Sequence, residues 1–355
     1  MKAVVLVGGE GTRLRPLTYD LPKPMVPICG KPFAQYQMEL IKKHGINEVI
    51  FSLGYKWNSF EDYFKEGSNL GMKIHYVVEE SPLGTAGAIK NVEDYIDNDA
   101  FLVFNGDILS EMDLTDIINF HKQKKSKSTI VLTPVDNPCI YGVVELDENQ
   151  RIEMFTEKPK PEDVRSNQIN AGLYVLEPEI LNRMERGVNY SIERQIFPAM
   201  LEEGEPMYGY KYPDYWMDIG NPFKYLSANQ DMLLGKMKHN PGLVNGIHKG
   251  KNVTIADGVT LEKPVWIGDD VIIKEGAKII GPAVINKGCK IGESTTVEKA
   301  LLWENTELGS GCSLNSCLVG RGCKVGDGVS IGELAVIGSG VTIEDGTCIE
   351  SGGKV

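Results

Sequence analysis

The sequence predicts an α/β domain joined to a solenoid of short parallel strands, and two observations carry that expectation. From Lys2 to about Leu234, short apolar runs alternate with amphipathic helical stretches, the pattern of a mainly parallel sheet covered on both faces. After the polar stretch 235–250, an aliphatic residue recurs every six positions: Ile255, Leu261, Ile267, Ile273, Ile279, Ile285, Ile291 and Val297, with Trp303 in phase. Such a period is an internal repeat, and repeats of this kind stack neighbours to build one continuous core.

In the first part, strands are expected at 3–7, 48–53, 73–78, 100–105, 129–135, 142–146 and 171–176, and helices at 33–44, 85–95, 114–123, 191–201 and 222–234. Together they describe one Rossmann-like domain, residues 1–236, with a mixed but mainly parallel sheet. Residues 237–250 read as a linker and residues 251–355 as the repeat domain. A period of six with glycine near each corner fits a triangular coil with one hexapeptide per face. The segment resembles the left-handed parallel β-helix of hexapeptide-repeat proteins. The phase resumes at Val325, Ile331, Ile337, Ile343 and Ile349, so Leu308, Leu314 and Val319 imply two turns that are each one residue short. Acyltransferases built on such coils use a catalytic His, and no His follows His248.

Composition narrows the function. A chain of 355 residues, 42% hydrophobic and 24% charged, can bury large cores, and its formal charge of −12 disfavours general binding to nucleic acid or a membrane surface. The N-terminal apolar run is only Ala3–Val7, too short for a signal peptide or a membrane span, which predicts a cytoplasmic protein. Seven scattered Cys without a C-x-x-C pair read as reduced, packed thiols. His44, His75 and His121 have no metal-ligand spacing.

The chemistry sits in short motifs. Strand one runs into Gly8-Gly9-Glu10-Gly11-Thr12-Arg13-Leu14-Arg15-Pro16-Leu17-Thr18, a glycine turn that lets backbone N–H groups approach phosphate, followed by two guanidinium groups. It is neither a dinucleotide fingerprint, because Leu14 stands at the third glycine, nor a Walker loop. Lys23 follows between Pro22 and Pro24, which restrict where its ammonium points. Asp107 closes an apolar strand at its carboxyl end, where ligands bind in open α/β sheets, although an Asp there also makes an ordinary turn.

Together, G-G-x-G-T-R-L-x-P-L-T and P-K-P resemble the signature of the sugar-1-phosphate nucleotidylyltransferases. Further matches are Glu79–Gly87, Asn105-Gly106-Asp107, Glu157-Lys158-Pro159, Asn170-Ala171-Gly172 and Trp216-Met217-Asp218-Ile219-Gly220. The resemblance implies an enzyme in which a sugar 1-phosphate oxygen attacks the α-phosphorus of a nucleoside triphosphate and pyrophosphate leaves. It implies Mg²⁺ on Asp107 and Asp218, and makes Arg13, Lys23 and Asp107 the catalytic residues. Nucleotide binding falls to Leu6, Gly8, Gly9, Gly11, Thr12, Arg13, Glu79, Gly84 and Thr85, with Gly84 and Gly87 admitting close approach at a helix start. The sugar phosphate falls to Gly142, Glu157, Lys158 and Asn170.

Base choice turns on Glu79. Relatives that use dTTP or UTP usually carry Gln there, whereas a carboxylate can accept both N–H groups of guanine's Watson–Crick edge. The motifs P-L-G-T-A-G-A and W-M-D-I-G-N-P are most similar to mannose-1-phosphate guanylyltransferases, which implies GTP and mannose 1-phosphate. The alternatives are a glucose-1-phosphate enzyme using UTP, dTTP or ATP, and a non-catalytic sugar-nucleotide-binding regulatory subunit. An exposed flat coil face is expected to serve self-association into a homo-oligomer or docking on the catalytic domain.

Overall fold

All seven apolar runs form strands in the computed structural model, which describes residues 1–54 and 56–355. The described residues divide into two compact units, Met1–Glu10 with Ala34–Trp216, and Gly11–Phe33 with Met217–Val355.

The first unit holds β1 (Ala3–Val7), α1 (Phe33–Lys43), β2 (Glu48–Leu53), α2 (Asn58–Phe64), β3 (Lys73–Val78), α3 (Gly84–Asn91) and β4 (Phe101–Asn105). It continues with α4 (Leu114–Lys124), β5 (Ser128–Pro134), β6 (Gly142–Leu146), β7 (Ile152–Glu157), β8 (Gln168–Leu176), α5 (Phe197–Glu202) and β9 (Met207–Lys211). The nine strands form one sheet in the order β7-β6-β8-β4-β1-β2-β3, with β5 also on β8 and β9 on β5. Pairing is parallel from β4 through β1 and β2 to β3, and antiparallel where β8 meets β4, β5 and β6. Val4, Val5, Val103 and Phe51 are fully buried, as strands covered on both faces require. The sequence reading lacked β7 and β9, whose residues are too mixed in polarity to stand out.

Two local features matter for the site. The register of β8 shifts between Asn170 and Tyr174, and Gly172 there has φ 74°, so Asn170-Ala171-Gly172 is a bulge in the strand. The stretch expected as a helix over 191–201 opens as a π-helical turn, Ile192–Ile196, before α5. Insertions of this kind often re-aim side chains.

The second unit contains α6 (Pro222–Leu233) and the repeat domain. Three parallel six-stranded sheets stack rung upon rung, the first strand being Ile247–Lys249 and the last Cys348–Ile349. The inward rows pair as expected: Ile255 with Ile273, Leu261 with Ile279, Ile267 with Ile285. One position corrects the sequence reading. Ile285 pairs with Leu302, not Trp303, so the first short turn lies between Val297 and Leu302 and the second between Leu314 and Val319. Trp303 falls on the corner position taken by Gly268, Asn286 and Gly320 in other rungs. Its indole is fully buried and its Nε1 donates to the Tyr225 hydroxyl of α6 at 2.9 Å. A corner Trp kept the sequence in apparent phase because it is apolar and one residue from the true inward position.

The outer face of the first coil sheet is apolar and buried: Val284, Leu301, Leu318 and Val336 are at most 2% exposed. Residues 11–33 and α6 belong to the same unit. The Trp266 ring lies so close to Gly30 that a Cβ there would be 2.3 Å from it, and Pro16 lies against Gly338.

All seven thiols are free, with Cys289, Cys312, Cys317 and Cys323 in the coil core. Burial pushes Cys289 and Cys317 up to about 12, and the thiolate is the reactive form. A thiol reagent at neutral pH should therefore label only exposed Cys348 and half-buried Cys139 in the native protein, and all seven after denaturation. Counting modified cysteines by mass spectrometry checks this.

Candidate nucleotide and sugar-phosphate site

In the first unit, the end of β1 packs against Glu79. A Cβ on Gly8 would lie 2.9 Å from Glu79 Oε1, and one on Gly54 2.6 Å from the Gly8 carbonyl oxygen, so this crossing requires glycine. Gly9 differs. Among the described residues no atom lies within 4 Å of its Cβ position, so their packing does not account for that glycine. Glu79 Oε1 accepts from Ser52 Oγ at 3.2 Å and Oε2 from the Leu83 N–H at 3.1 Å. Burial nevertheless raises its pKa, with these bonds opposing. Each oxygen retains a lone pair for another donor.

Gly84 and Gly87 admit close approach, and in this structure the partner is the chain itself. Cβ atoms there would lie 2.5 Å from the carbonyl oxygens of Tyr190 and Val188. Thr85 joins the same contact: its Oγ1 accepts from the Ile192 N–H and donates to Glu193 Oε2 at 2.7 Å. Glu193 is a hub that the sequence reading missed. Its carboxylate also accepts from Ser191 Oγ at 2.8 Å and, more weakly at 3.4 Å, from the buried Tyr174 hydroxyl, which itself accepts from Asn170 Nδ2 at 2.7 Å.

The bulge in β8 brings Asn170-Ala171-Gly172 to Asn105-Gly106-Asp107. A Cβ on Gly172 would be 2.9 Å from Asn105 Nδ2, and Asn105 Oδ1 is buried with no donor among the described residues. Gln37 Nε2 donates to the carbonyls of Asn105 and Ile108 at 2.9 and 3.0 Å, which fixes the turn that carries half-buried Asp107. Gly142 and Glu157 are cross-strand partners in β6 and β7, and a Cβ on Gly142 would meet Glu157 Oε2 at 2.9 Å. Lys158 leaves the strand with φ 52° and an exposed side chain, its Nζ 3.9 Å from Glu157 Oε1. Burial and then the Glu193 charge raise the Glu157 pKa, with Lys158 and Arg194 opposing. Tyr141 and Trp216 meet edge to face beside this strand end, and Trp216 Nε1 donates to the Ala171 carbonyl at 2.9 Å.

In the second unit, Gly11 has φ 63° and its carbonyl accepts from Thr18 Oγ1 at 2.8 Å, closing the turn that exposes Thr12 and Arg13. The Lys23 side chain runs under this turn, its Cβ 3.1 Å from where a Gly11 Cβ would sit, and is only 9% exposed. Arg13 and Asp218 converge on Gly220, whose Cβ position is 3.5 Å from Arg13 Nη1 and 2.9 Å from Asp218 Oδ2. Lys224 of α6 forms an ion pair with Asp218. On a helix face its charge looked like ordinary solvated surface, so the sequence reading passed over it. Among the described residues no three His, Cys, Asp or Glu side chains form a closed metal cage.

A mainly parallel sheet whose first strand runs into a glycine turn, with Asp107 at the end of another strand, suits an α/β protein that handles phosphate. Residues 2–234 match the family described as nucleotidyl transferase, and the chain belongs to that family. Residues 244–349 match the domain described as the EIF2B subunit epsilon LbH domain, in agreement with the left-handed β-helix expected for the coil.

The chain is similar to a mannose-1-phosphate guanylyltransferase of Mycobacterium tuberculosis, at 45% identity over 66% of this chain and 65% of that protein. The aligned part therefore spans slightly less than two thirds of that relative. It is also similar to a UTP–glucose-1-phosphate uridylyltransferase of Synechocystis, at 34% identity over 71% of this chain and 70% of that protein. Among solved structures it resembles HddC from Yersinia pseudotuberculosis in complex with GMP-PN, at 33% identity and a TM-score of 0.56 over 65% of this chain and 98% of that one. No helix among the described residues is long and apolar enough to cross a membrane.

Proposed function

We propose that the protein transfers a guanylyl group from GTP to mannose 1-phosphate, releasing pyrophosphate and GDP-mannose. The observation that carries the reading is the convergence of Arg13 and Asp218 over Gly220, beside a glycine turn under which Lys23 is buried. Cations and a carboxylate without an activated nucleophile suit a direct displacement at phosphorus, where positioning and charge neutralisation do the catalysis. Arg13 and Lys23 would bind the triphosphate and stabilise charge on the departing pyrophosphate. Gly9, with no described atom near its Cβ position, gives phosphate oxygens access to the backbone.

Asp107 and Asp218 are the carboxylates we assign to Mg²⁺. A pair of carboxylates suits this ion, because it keeps several waters and binds substrate phosphates. When bound, it would neutralise phosphate oxygens. Lys224 holds the Asp218 carboxylate in place. Lys158 would contact the sugar phosphate, and Glu157, Asn170 and the Gly142 backbone its sugar hydroxyls. The buried Asn105 Oδ1 offers one further acceptor.

Guanine is favoured by Glu79, by the Mycobacterium relative and by the relative crystallised with GMP-PN. The two lone pairs left on Glu79 suit the two N–H donors of guanine. Glu79→Gln should lower the preference for GTP over UTP by about tenfold or more, since a site built for a donor pair discriminates strongly. Initial rates with the two nucleotides measure it. Seven unpaired thiols fit a reducing compartment such as the cytoplasm.

Glu157 also makes a pH prediction. Its acceptor form is the carboxylate, and a raised pKa means that form is lost at a higher pH than for an ordinary Glu. The KM for the sugar phosphate should rise as pH falls through that raised pKa, and Glu157→Gln should weaken the dependence to what the substrate phosphate's own titration leaves. KM profiles from pH 8 down to about 5 check it. The proposed activity is tested in reverse: GDP-mannose, pyrophosphate and Mg²⁺ should yield GTP and mannose 1-phosphate. A protein that binds GDP-mannose without turning it over would be the regulatory alternative.

A further inference from the structure

We infer that Trp303 and Tyr225 form a relay through which the coil positions the loop carrying Lys23, making both of them positioning residues for the transfer reaction. The inference rests on the role given to Lys23 above. Trp303 occupies a coil corner that holds Gly or Asn in the neighbouring rungs, immediately after a turn shortened by one residue. A large aromatic at such a corner has to be accommodated outside the coil, and here α6 accommodates it.

The fully buried Trp303 indole meets the Tyr225 ring edge to face, with centroids 6.3 Å apart. Its N–H donates to the Tyr225 hydroxyl at 2.9 Å, and that hydroxyl donates to the Pro27 carbonyl at 2.5 Å. Pro27 lies four residues beyond Lys23 and begins a short hairpin in which Pro27–Ile28 pairs with Lys31–Pro32. The hairpin is fixed at two more points. One helical turn beyond Tyr225, Asn229 Oδ1 accepts from the Cys29 N–H at 3.2 Å, and Trp266 of the coil packs against Gly30. The same helix carries Lys224, which pairs with Asp218. One helix braced by the coil therefore sets both the Lys23 loop and the Asp218 carboxylate. This accounts for a costly arrangement, a buried hydroxyl and a buried indole N–H that bond each other, with the hydroxyl also bonded to the loop.

The test compares full-length wild type, Tyr225→Phe and Trp303→Phe, both of which keep an aromatic ring. Steady-state rates are measured with the nucleotide and sugar phosphate that the wild type uses, and amide exchange is followed over residues 22–32. Tyr225→Phe should lower kcat about tenfold, as a displaced catalytic group does, while the KM for the sugar phosphate stays unchanged. Trp303→Phe should lower kcat in the same direction by less, and exchange in 22–32 should quicken in both. Wild-type kcat and wild-type exchange in folded variants, or a lowered melting temperature with kcat intact, would overturn the relay. Should Tyr225→Phe not fold, Trp303→Phe alone decides by the same readings. If the wild type transfers no nucleotide at all, the proposed function fails, and the exchange result still decides whether the relay holds the loop.

Discussion

Asp107→Asn should lower the rate of Mg²⁺-dependent pyrophosphate release about 10³-fold, since a catalytic metal contributes several kcal/mol to the stabilisation of developing charge. The substitution is nearly isosteric and the side chain is only half-buried, so the melting temperature should change little. Raising Mg²⁺ should recover part of the activity if the defect is in holding the ion. Rates across a Mg²⁺ titration, read beside the thermal transition, separate loss of the metal site from loss of the fold. An unchanged rate would remove Asp107 from the catalytic set.

The second large effect is at Lys23. Its stem is buried beneath the Gly11 turn, so Lys23→Met keeps most of the packing while deleting the charge. The loss of one preorganised charge aimed at the leaving pyrophosphate should cost about 10² to 10³ in kcat. Because that charge grows mainly in the transition state, kcat and kcat/KM for the nucleotide should fall together. A rise in KM with kcat unchanged would instead mean that Lys23 only binds the ground-state triphosphate.

Much of this was legible beforehand because the relevant signals are local. The buried strands of a parallel sheet are continuous apolar runs, and the strands at 3–7, 48–53 and 73–78 fall where the sequence placed them. The hexapeptide rows are equally plain, up to the point where an apolar Trp303 beside the true inward residue Leu302 hides a one-residue deletion. Glu193 and Lys224 were not legible. Each is a charged residue on a helical turn, where solvated surface is the common case, and only tertiary packing brings them to Thr85, Tyr174 and Asp218. Gly84 and Gly87 were expected to admit the nucleotide base, and the sequence could not show that the backbone of 188–190 approaches them. That residues 11–33 group with the coil was also beyond local reading. The apolar outer face of the first coil sheet alternates with the inward row and looks like more of the same core.

Guanylyl transfer to mannose 1-phosphate is the activity proposed for the protein. Its most direct test is pyrophosphate release with Mg²⁺ across GTP, ATP, UTP and dTTP, each paired with the 1-phosphates of mannose, glucose and N-acetylglucosamine. One clear maximum is expected, at GTP with mannose 1-phosphate. A maximum at UTP or dTTP with glucose 1-phosphate would contradict the reading of Glu79 and the choice of sugar, and no release from any pair would contradict the transfer reaction itself.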